Sequence, residues 1–402
     1  LNSSKLSSKQ IGYLILLAAV NFTHIMDFMI MMPMAPQLMR VLEINPQEFS
    51  ILVASYIVAA GTASFLGTFF VDRFDRKKVL LFCYAGFIVG TLLCGLMNSY
   101  VPLLLARIFT GLLGGIIGSQ VLSIVGDLVS AENRGKATGV VMTGFSAASV
   151  LGVPLGLFCA TQWGWEFPFF GISFVGIVVW LLVLDRLPPI QEHLKNASGL
   201  NPLGLLKSIF SVKSHNWALL FTVLVAFSHF TLIPFLSPYM VSNVGFKELE
   251  LSYIYIIGGG LTLFTGPLIG KLADRFGTVR IFTWLILFAC IPQYFISNLG
   301  HASSGLALFF TSLFFIFSGG RFVPSQALTI GAVKPHLRGG FMSLNSSVMQ
   351  MASGLASFLA GLVVVKNGLG QLEHYDVLGY STMIFSLLSI LIAEKLKKSS
   401  SD

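Results

Sequence analysis

Charge is what this sequence has least of: 10% of its 402 residues are Asp, Glu, Lys or Arg, against roughly a quarter in an ordinary soluble domain. With 55% hydrophobic residues, a water-soluble chain of this length could not hide its apolar surface in one or two cores. Lipid is therefore the expected solvent over most of the surface. Cysteine is sparse too. Cys83, Cys94, Cys159 and Cys290 lie inside apolar runs, form no CxxC pair and join no His/Cys cluster with zinc spacing. Packing, and neither metal nor disulfide chemistry, is expected of them. No Gly-x-x-x-x-Gly-Lys-Ser/Thr stretch occurs, and Gly258-Gly259-Gly260 is followed by Leu261. Those glycines suit close helix contact and not a phosphate cradle, so direct use of ATP is not expected. No nucleophile–base spacing points to an enzyme, and no cofactor or metal is expected. The net charge of +8 does not mark a nucleic-acid binder, because the basic residues are spread over short loops with no basic face.

What the chain has instead is long apolar runs. A span needs about 20 apolar residues, and turns and charges punctuate twelve of them: 11–36, 49–71, 79–97, 102–125, 137–160, 167–185, 217–240, 251–270, 281–298, 304–330, 340–365 and 378–394. The first run follows Lys5 and Lys9 and has no small-residue cleavage site, so it is expected to stay as a span and not to be a signal peptide. Six runs lie on each side of a polar stretch, 186–216, which holds Pro188-Pro189, a Glu192/His193/Lys195 cluster and Asn201-Pro202; Leu203 to Phe210 suit a short amphipathic helix. The expected organisation is thus a six-helix bundle over 1–185, a linker over 186–216 and a second six-helix bundle over 217–402. Of the 25 Lys and Arg, twenty fall at the termini, in the linker and in the loops on the same side. Three, Arg40, Lys247 and Lys366, fall in the opposite loops, and Arg107 and Arg321 fall inside spans. The positive-inside rule then places both termini and the linker in the cytoplasm.

The two halves repeat one another. Phe22-Thr23-His24 with Pro33 returns as Phe227-Ser228-His229 with Pro238, and Ser55-Tyr56-Ile57 with Gly61 as Ser252-Tyr253-Ile254 with Gly258. Asp72-Arg73-Phe74 returns as Asp274-Arg275-Phe276, Ser119-Gln120 as Ser325-Gln326 and Arg134-Gly135 as Arg338-Gly339, in the same order. Such repeats imply a pseudo-symmetric molecule with its site where the halves meet.

Three charged residues stand inside spans, where each costs several kcal/mol unless it meets a partner or water. At about 1.5 Å per residue, Asp27 lies roughly 24 Å from the inner start of its span and Arg107 roughly 8 Å from the outer start of its own. In a core about 30 Å thick these depths nearly agree, so the two can form an ion pair that holds Asp27 ionised. The same pair can serve proton coupling or act as a static brace for helix packing. Arg321, in Gly319-Gly320-Arg321-Phe322-Val323-Pro324, can bind an anionic group or hold a cytoplasmic acid. His24, one turn before Asp27, and its repeat-mate His229 are candidates for proton relay or for hydrogen-bonded packing. Asn21, Gln120, Gln326, Asn345 and Gln350 are candidates for cavity lining or for interhelical hydrogen bonds. Most of the 36 Phe are expected to face lipid. Met26, Met29, Met31, Met32 and Met34 crowd the outer part of the first span, where thioethers can repack around apolar ligands.

The loop after the eighth span reads Gly270, Asp274, Arg275, Gly277, and the loop after the second carries Gly67, Thr68, Asp72, Arg73, Asp75, Arg76, Lys77 and Lys78. These resemble the Gly-x-x-x-Asp-Arg-x-Gly-Arg-Lys loop of the major facilitator superfamily, with Thr68 at the first Gly and Asp75 at the second in the first copy. The fourth span, with Arg107, Thr110, Gly111, Gly114 and Gly115, resembles the family's Arg-x-x-x-Gly pattern. Gly152-Val153-Pro154-Leu155-Gly156 is similar to the Gly/Pro signature of exporting antiporters. Trp163-Gly164-Trp165-Glu166-Phe167, and Asp27 through Pro33, are similar to the drug/proton antiporters and the arabinose-efflux-like branch. The resemblance implies an all-α membrane protein of twelve transmembrane helices in two pseudo-symmetric six-helix bundles, in a bacterial inner membrane. It implies a gating role for Asp72, Arg73, Arg76, Asp127, Asp274 and Arg275, with Asp127 the partner of Arg76, and for Gly152 and Pro154; topology anchoring alone is the alternative for the loop charges. The function implied is a secondary active transporter, a proton-coupled exporter of a small organic solute or drug working by alternating access, in which Asp27 takes an external proton and frees Arg107 or expels a cationic substrate. A proton-coupled importer or uniporter, including one for lipid-like solutes, and a non-transporting membrane sensor are the alternatives. The expected partners are a small-molecule substrate, protons and membrane lipids, with the chain working as a monomer.

Overall fold

The structure is a computed structural model that describes residues 6–191, 194, 202–333 and 338–399. Glu192, His193, Lys195 and Asn201 of the linker, like Lys5 and Lys334, lie outside the described residues, and so does the side chain of Asp72. Twelve helical stretches among the described residues are long and apolar enough to span a membrane. In chain order they are Ser8–Ile30, Pro46–Gly67, Arg76–Leu96, Tyr100–Leu128, Arg134–Trp163, Phe167–Arg186, Lys213–Val244, Glu248–Phe276, Thr278–Asn298, Ser304–Gly331, Gly340–Val363 and Tyr375–Lys398, spans 1 to 12 below. Twelve crossings return the chain to the side on which it began. The expected linker helix is present as Pro202–Phe210, and a two-residue antiparallel ladder, Val365–Lys366 with Leu372–Glu373, closes the loop between spans 11 and 12.

Local chemistry sets the ends. Ser7 with Gln10 and Asn45 with Glu48 form capping boxes at spans 1 and 2, and Pro46 adds a preset φ. Gly164, at φ 127°, ends span 5 in a conformation that suits glycine. The expected run over 11–36 is broken: regular helix stops at Ile30, a turn follows, and a second helix covers Ala35–Val41. Pro33 and Pro36 account for the break, since neither can donate to a preceding carbonyl. Span 7 breaks earlier in the repeat, at a 3-10 turn over Ile233–Phe235 that contains Pro234, and Pro238, the repeat-mate of Pro33, lies in the short helix Leu236–Tyr239 that follows. Both spans thus lose helical regularity beyond their histidine, each at a proline, though not at matched positions.

The apolar core comes in three parts. One cluster joins the two halves on the side away from the termini: Ile30, Met31, Phe49 and Leu52 pack in it with Phe235, Leu236, Tyr239 and Leu251. The other two are separate and lie toward the termini. Leu14, Leu80, Val125 and Val183 belong to the first half, and Ile209, Phe282, Phe341 and Leu396 to the second. Met31, Met32 and Met34 are buried in the shared cluster, so these three serve as packing in this state. Phe82, Phe174 and Phe264 are more than two-thirds exposed and face outward, as lipid-facing aromatics do. All four cysteines are free thiols, Cys83 and Cys94 buried and Cys159 and Cys290 half-buried.

Small residues let the spans touch. Gly61 of span 2 lies on Gln350 and Met351 of span 11, and Gly259 of span 8 lies on Ser149 and Val150 of span 5. Gly111 and Gly115 of span 4 face the backbone of Tyr56 and Ala60 in span 2 so closely that a Cβ at either would collide with a carbonyl oxygen. Gly115→Val is expected to push spans 2 and 4 apart and to destabilise the protein by roughly 1–3 kcal/mol. Thermal unfolding of the purified variant checks this, and an unchanged midpoint would contradict the packing described.

Candidate functional site

The site is built from the three charged side chains that the fold buries most completely, Asp27, Arg107 and Arg321, each no more than 1% exposed. The close approach of spans 2 and 4 puts Arg107 beside Tyr56, with its guanidinium 4.2 Å from the ring centroid. From there Nη1 donates to Asp27 Oδ2 at 2.9 Å. Thr91 Oγ1 of span 3 donates to the other carboxylate oxygen at 3.2 Å. Asp27 is thus held by spans 3 and 4 together, while the aromatic face of Tyr56 covers its partner.

Unmet hydrogen-bonding capacity lies next to this pair. Arg107 Nε, the Tyr56 hydroxyl and His24 Nδ1 are buried without a partner. Gly114 sits between two of these side chains: a Cβ there would stand 3.0 Å from the Tyr56 hydroxyl and 3.2 Å from His24 Nε2. The His24 ring meets Phe87 edge-on at 5.6 Å. Phe28 stacks on Tyr56 at 5.9 Å and meets Phe230 of the other half at 6.3 Å. The seam between the halves is therefore aromatic at this level, with an ion pair directly behind one wall.

The second half differs. Arg321 Nη1 donates to Ser386 Oγ at 2.8 Å and Nη2 to the Ser228 carbonyl at 2.7 Å. Its Nε has no partner, and no carboxylate pairs with it among the described residues. Of the two readings open from sequence, holding a cytoplasmic acid is therefore not what this state shows. His229 stacks on Phe314 at 5.8 Å and meets Phe322 and Phe230 edge-on, with Nδ1 unpartnered.

Other candidates are placed as follows. Asn21 donates to the Val141 carbonyl at 3.4 Å, and Asn345 accepts from Thr222 at 2.6 Å. Gln120 is buried with Oε1 unpartnered, whereas its repeat-mate Gln326 is exposed. Gln350 lies at the contact of spans 2 and 11. Gly152 packs on Met26 and Phe22, in a π-helical segment, Ala148–Gly152, that precedes Pro154. On the terminus side Arg76 Nε meets Asp127 Oδ2 at 2.8 Å. Arg73, Asp274 and Arg275 are exposed and form no ion pair among the described residues. On the opposite side Arg40 makes a two-point ion pair with Glu248 across the halves, and this pairing holds the arginine's pKa above its ordinary value.

Asp75 was legible only as a departure from a loop pattern, and the structure gives it a job. It caps span 3 by accepting from Lys77 N at 2.8 Å, and it receives Gln191 Nε2 at 2.9 Å and Ile190 N at 3.2 Å. Burial pushes its pKa up, but these donors outweigh burial, and the carboxyl sits below its ordinary value of 3.8. Thr91 was not singled out by sequence, and Tyr56 stood out only as part of the Ser55-Tyr56-Ile57 repeat; a threonine and a tyrosine in a span carry no chemical signal of their own.

Known proteins resemble the chain at both levels. A family model described as Major Facilitator Superfamily matches residues 17–261 and 218–399. A Bacillus subtilis (strain 168) protein named uncharacterized MFS-type transporter YceJ is 25% identical over 378 residues, covering 92% of this chain and 93% of its own. A second protein of that organism, uncharacterized MFS-type transporter YbcL, is 24% identical over 320 residues, 79% of each chain. Among solved structures, a D-xylose-proton symporter superposes with a TM-score of 0.76 at 17% identity and covers 96% of both chains. An inward-facing, unoccupied bacterial homolog of the human lysosomal transporter Spinster gives 0.75 at 15% identity, over 99% of this chain and 98% of its own.

Two expected outcomes follow from the geometry. Asp27→Asn and Arg107→Gln each leave a buried group unpaired and are expected to cost roughly 3–5 kcal/mol, with the double variant costing less than the sum. Unfolding of the four proteins measures this, and strictly additive losses would show that the pair does not interact. The folded Asp75 has the lower pKa, so the unfolded chain takes up its proton first as pH falls. Its stabilisation is complete above the ordinary carboxylate value and is lost as pH falls through the lower folded value. Asp75→Asn should therefore unfold with a flatter midpoint-against-pH profile in the acid range, and a parallel profile would refute the assignment.

Proposed function

Because the chain belongs to the Major Facilitator Superfamily, and so is a secondary transporter and not an enzyme, we propose that it is a proton-coupled exporter of a small organic solute in which Asp27 is the proton carrier. The observation that carries this reading is the Asp27–Arg107–Thr91 contact, an acid paired with an arginine inside a membrane span with unpartnered polar atoms of Tyr56 and His24 beside it. An acid at that depth is a functional group by default. A proton arriving at Asp27 cancels its attraction for Arg107, and His24 and Tyr56 supply the nearby groups through which it travels.

The export direction rests on the fifth span. Its Gly152/Pro154 segment packs on Met26, the neighbour of Asp27, and Gly156 packs on Ile30. A change in the bend of that segment therefore acts directly on the helix that carries the acid. We take the terminus side as cytoplasmic because most basic residues lie there, in a bacterial inner membrane. Residues 1–185 and 217–402 are then the two rocking bundles, and 186–216 is their link. Packing of both halves into one cluster away from the termini supports an inward-facing state latched on the outside by Arg40 and Glu248, with Arg76 and Asp127 bracing the inner ends of spans 3 and 4 within the first half.

Asp27→Asn is expected to abolish the pH change that accompanies addition of a transported solute to proteoliposomes, compared at equal amounts of folded protein. A library of cations, anions, sugars and amino acids supplies the solutes. Full coupling in the variant would remove Asp27 from the carrier role.

A further inference from the structure

The interior charge does not balance. Asp27 and Arg107 neutralise one another at 2.9 Å, and both are closed off at no more than 1% exposure. That leaves Arg321, equally buried, with two neutral acceptors, an unpartnered Nε and no carboxylate among the described residues. An unpaired guanidinium in a low-dielectric interior is among the most costly arrangements a fold can keep, and two hydrogen bonds to neutral oxygens only partly offset it.

Its position gives the imbalance a use. Nη2 of Arg321 holds the carbonyl of Ser228, and two residues on Phe230 faces the seam. Phe230 meets Phe28 of the other half, and His229 packs on Phe322, the neighbour of Arg321. The arginine therefore stands one residue behind the wall of the central site. Uncompensated positive charge in a dry interior projects its field into an adjoining cavity, which favours an anion and repels a cation. On the other wall the acid that would attract a cation is already occupied by Arg107. A π-helical segment, Phe315–Gly319, lies directly before Arg321, and such segments allow a local shift of the helix that carries the charge.

We propose that the transported solute is anionic, a carboxylate or similar acid on an apolar body, with its charge placed against Arg321 and His229 and its body against Phe28, Tyr56 and Phe230. This assignment rests on the transporter reading above and, of the alternatives open from sequence, takes the anionic group at Arg321 over a cationic substrate expelled from Asp27. Arg321 has no carboxylate to answer it among the described residues, and the substrate supplies one.

The test uses three probes of one shape: 3-phenylpropionate, 3-phenylpropylamine and 3-phenylpropionamide, added to the full chain in lipid nanodiscs. The carboxylate is expected to raise the unfolding midpoint most. Arg321→Lys should keep that order, and Arg321→Gln should weaken carboxylate binding by about tenfold or more, the scale of one lost charge-assisted contact. Without ligand, Arg321→Gln should unfold no lower than the parent, because it removes an uncompensated charge. The proposal is overturned by preference for the amine, by equal response to all three, by no response to the acid, or by an Arg321→Gln midpoint as low as that of Arg107→Gln. In proteoliposomes, proton-linked transport of the amide but not of the acid, abolished by Asp27→Asn, would leave the transporter reading standing while this one falls. Carboxylate binding lost in Arg321→Gln, with no proton movement in any protein, would keep the charge assignment and remove the coupling.

Discussion

Everything in this protein answers to the absence of water along its length. A backbone amide, a hydroxyl or a charge that enters the bilayer must find its partner inside the protein, because none is available outside. For most of the chain the helix supplies that partner, and serines and threonines fold back onto carbonyls of the preceding turn, as Thr110 does on Ala106 and Thr311 on Ala307. The charged residues cannot be satisfied in this way. Asp27 and Arg107 come from spans 1 and 4, and only tertiary structure brings them to 2.9 Å. The glycines that let span 4 lie on span 2, the threonine that fills the second carboxylate oxygen and the tyrosine that covers the guanidinium are all consequences of keeping that pair in a dry place.

The two halves share a backbone plan and not a chemistry. Histidine is kept at equivalent positions, His24 and His229, each with Nδ1 unpartnered and each against aromatic rings. Three residues on, the first half has Asp27 and the second has Leu232, which is buried in the shared apolar cluster. Four residues before the repeated Ser-Gln, the second half has Arg321 and the first has Gly115, which is pressed against Ala60. Each half thus carries its charge where the other carries apolar packing or a backbone contact. A duplicated scaffold fixes where helices touch, and single substitutions then give one half a neutral, paired site and the other a lone positive one.

This difference explains what could be read before folding. Twelve spans were legible because lipid demands about 20 apolar residues in a row, and no other solvent produces that pattern so often. Depth along a helix follows from residue count, so arithmetic alone brought Asp27 and Arg107 to one level. The ends were less clear. Span 4 runs Tyr100–Leu128, longer than its 102–125 apolar run, and regular helix in span 1 stops at Ile30, well before 36. Lateral contacts were illegible for a different reason. Ser386 holds Arg321 and Asn345 meets Thr222, but nothing in a serine or an asparagine says whether it turns to its own helix or to another. Gln120 and Gln326 read alike and fold unlike, one buried and one exposed, because burial depends on neighbours several spans away. Asp75 broke a familiar pattern, and only the folded linker, returning at Ile190 and Gln191, shows what the acid holds.

The placement of small residues and large ones bears on how such a molecule moves. Where the halves meet along spans 2 and 11 and along spans 5 and 8, the contacts are Gly61, Gly354 and Gly259 against backbone and the near ends of side chains. Surfaces of that kind interlock little and let one helix roll on another. At the end away from the termini the contacts are large: Phe49 on Phe235 and Phe28 on Phe230, within one continuous cluster. Those surfaces must separate as a unit or stay shut. The proposed cycle places smooth seams on the sides as pivots and an interdigitated plug at one end as a gate. Asp27 sits between them, three residues before the helix stops at Ile30 and the plug begins. In the proposed cycle a change of charge at Asp27 would act on the first turn of the gate and, through Met26, on Gly152 by the same short piece of helix, which is the coupling that alternating access requires.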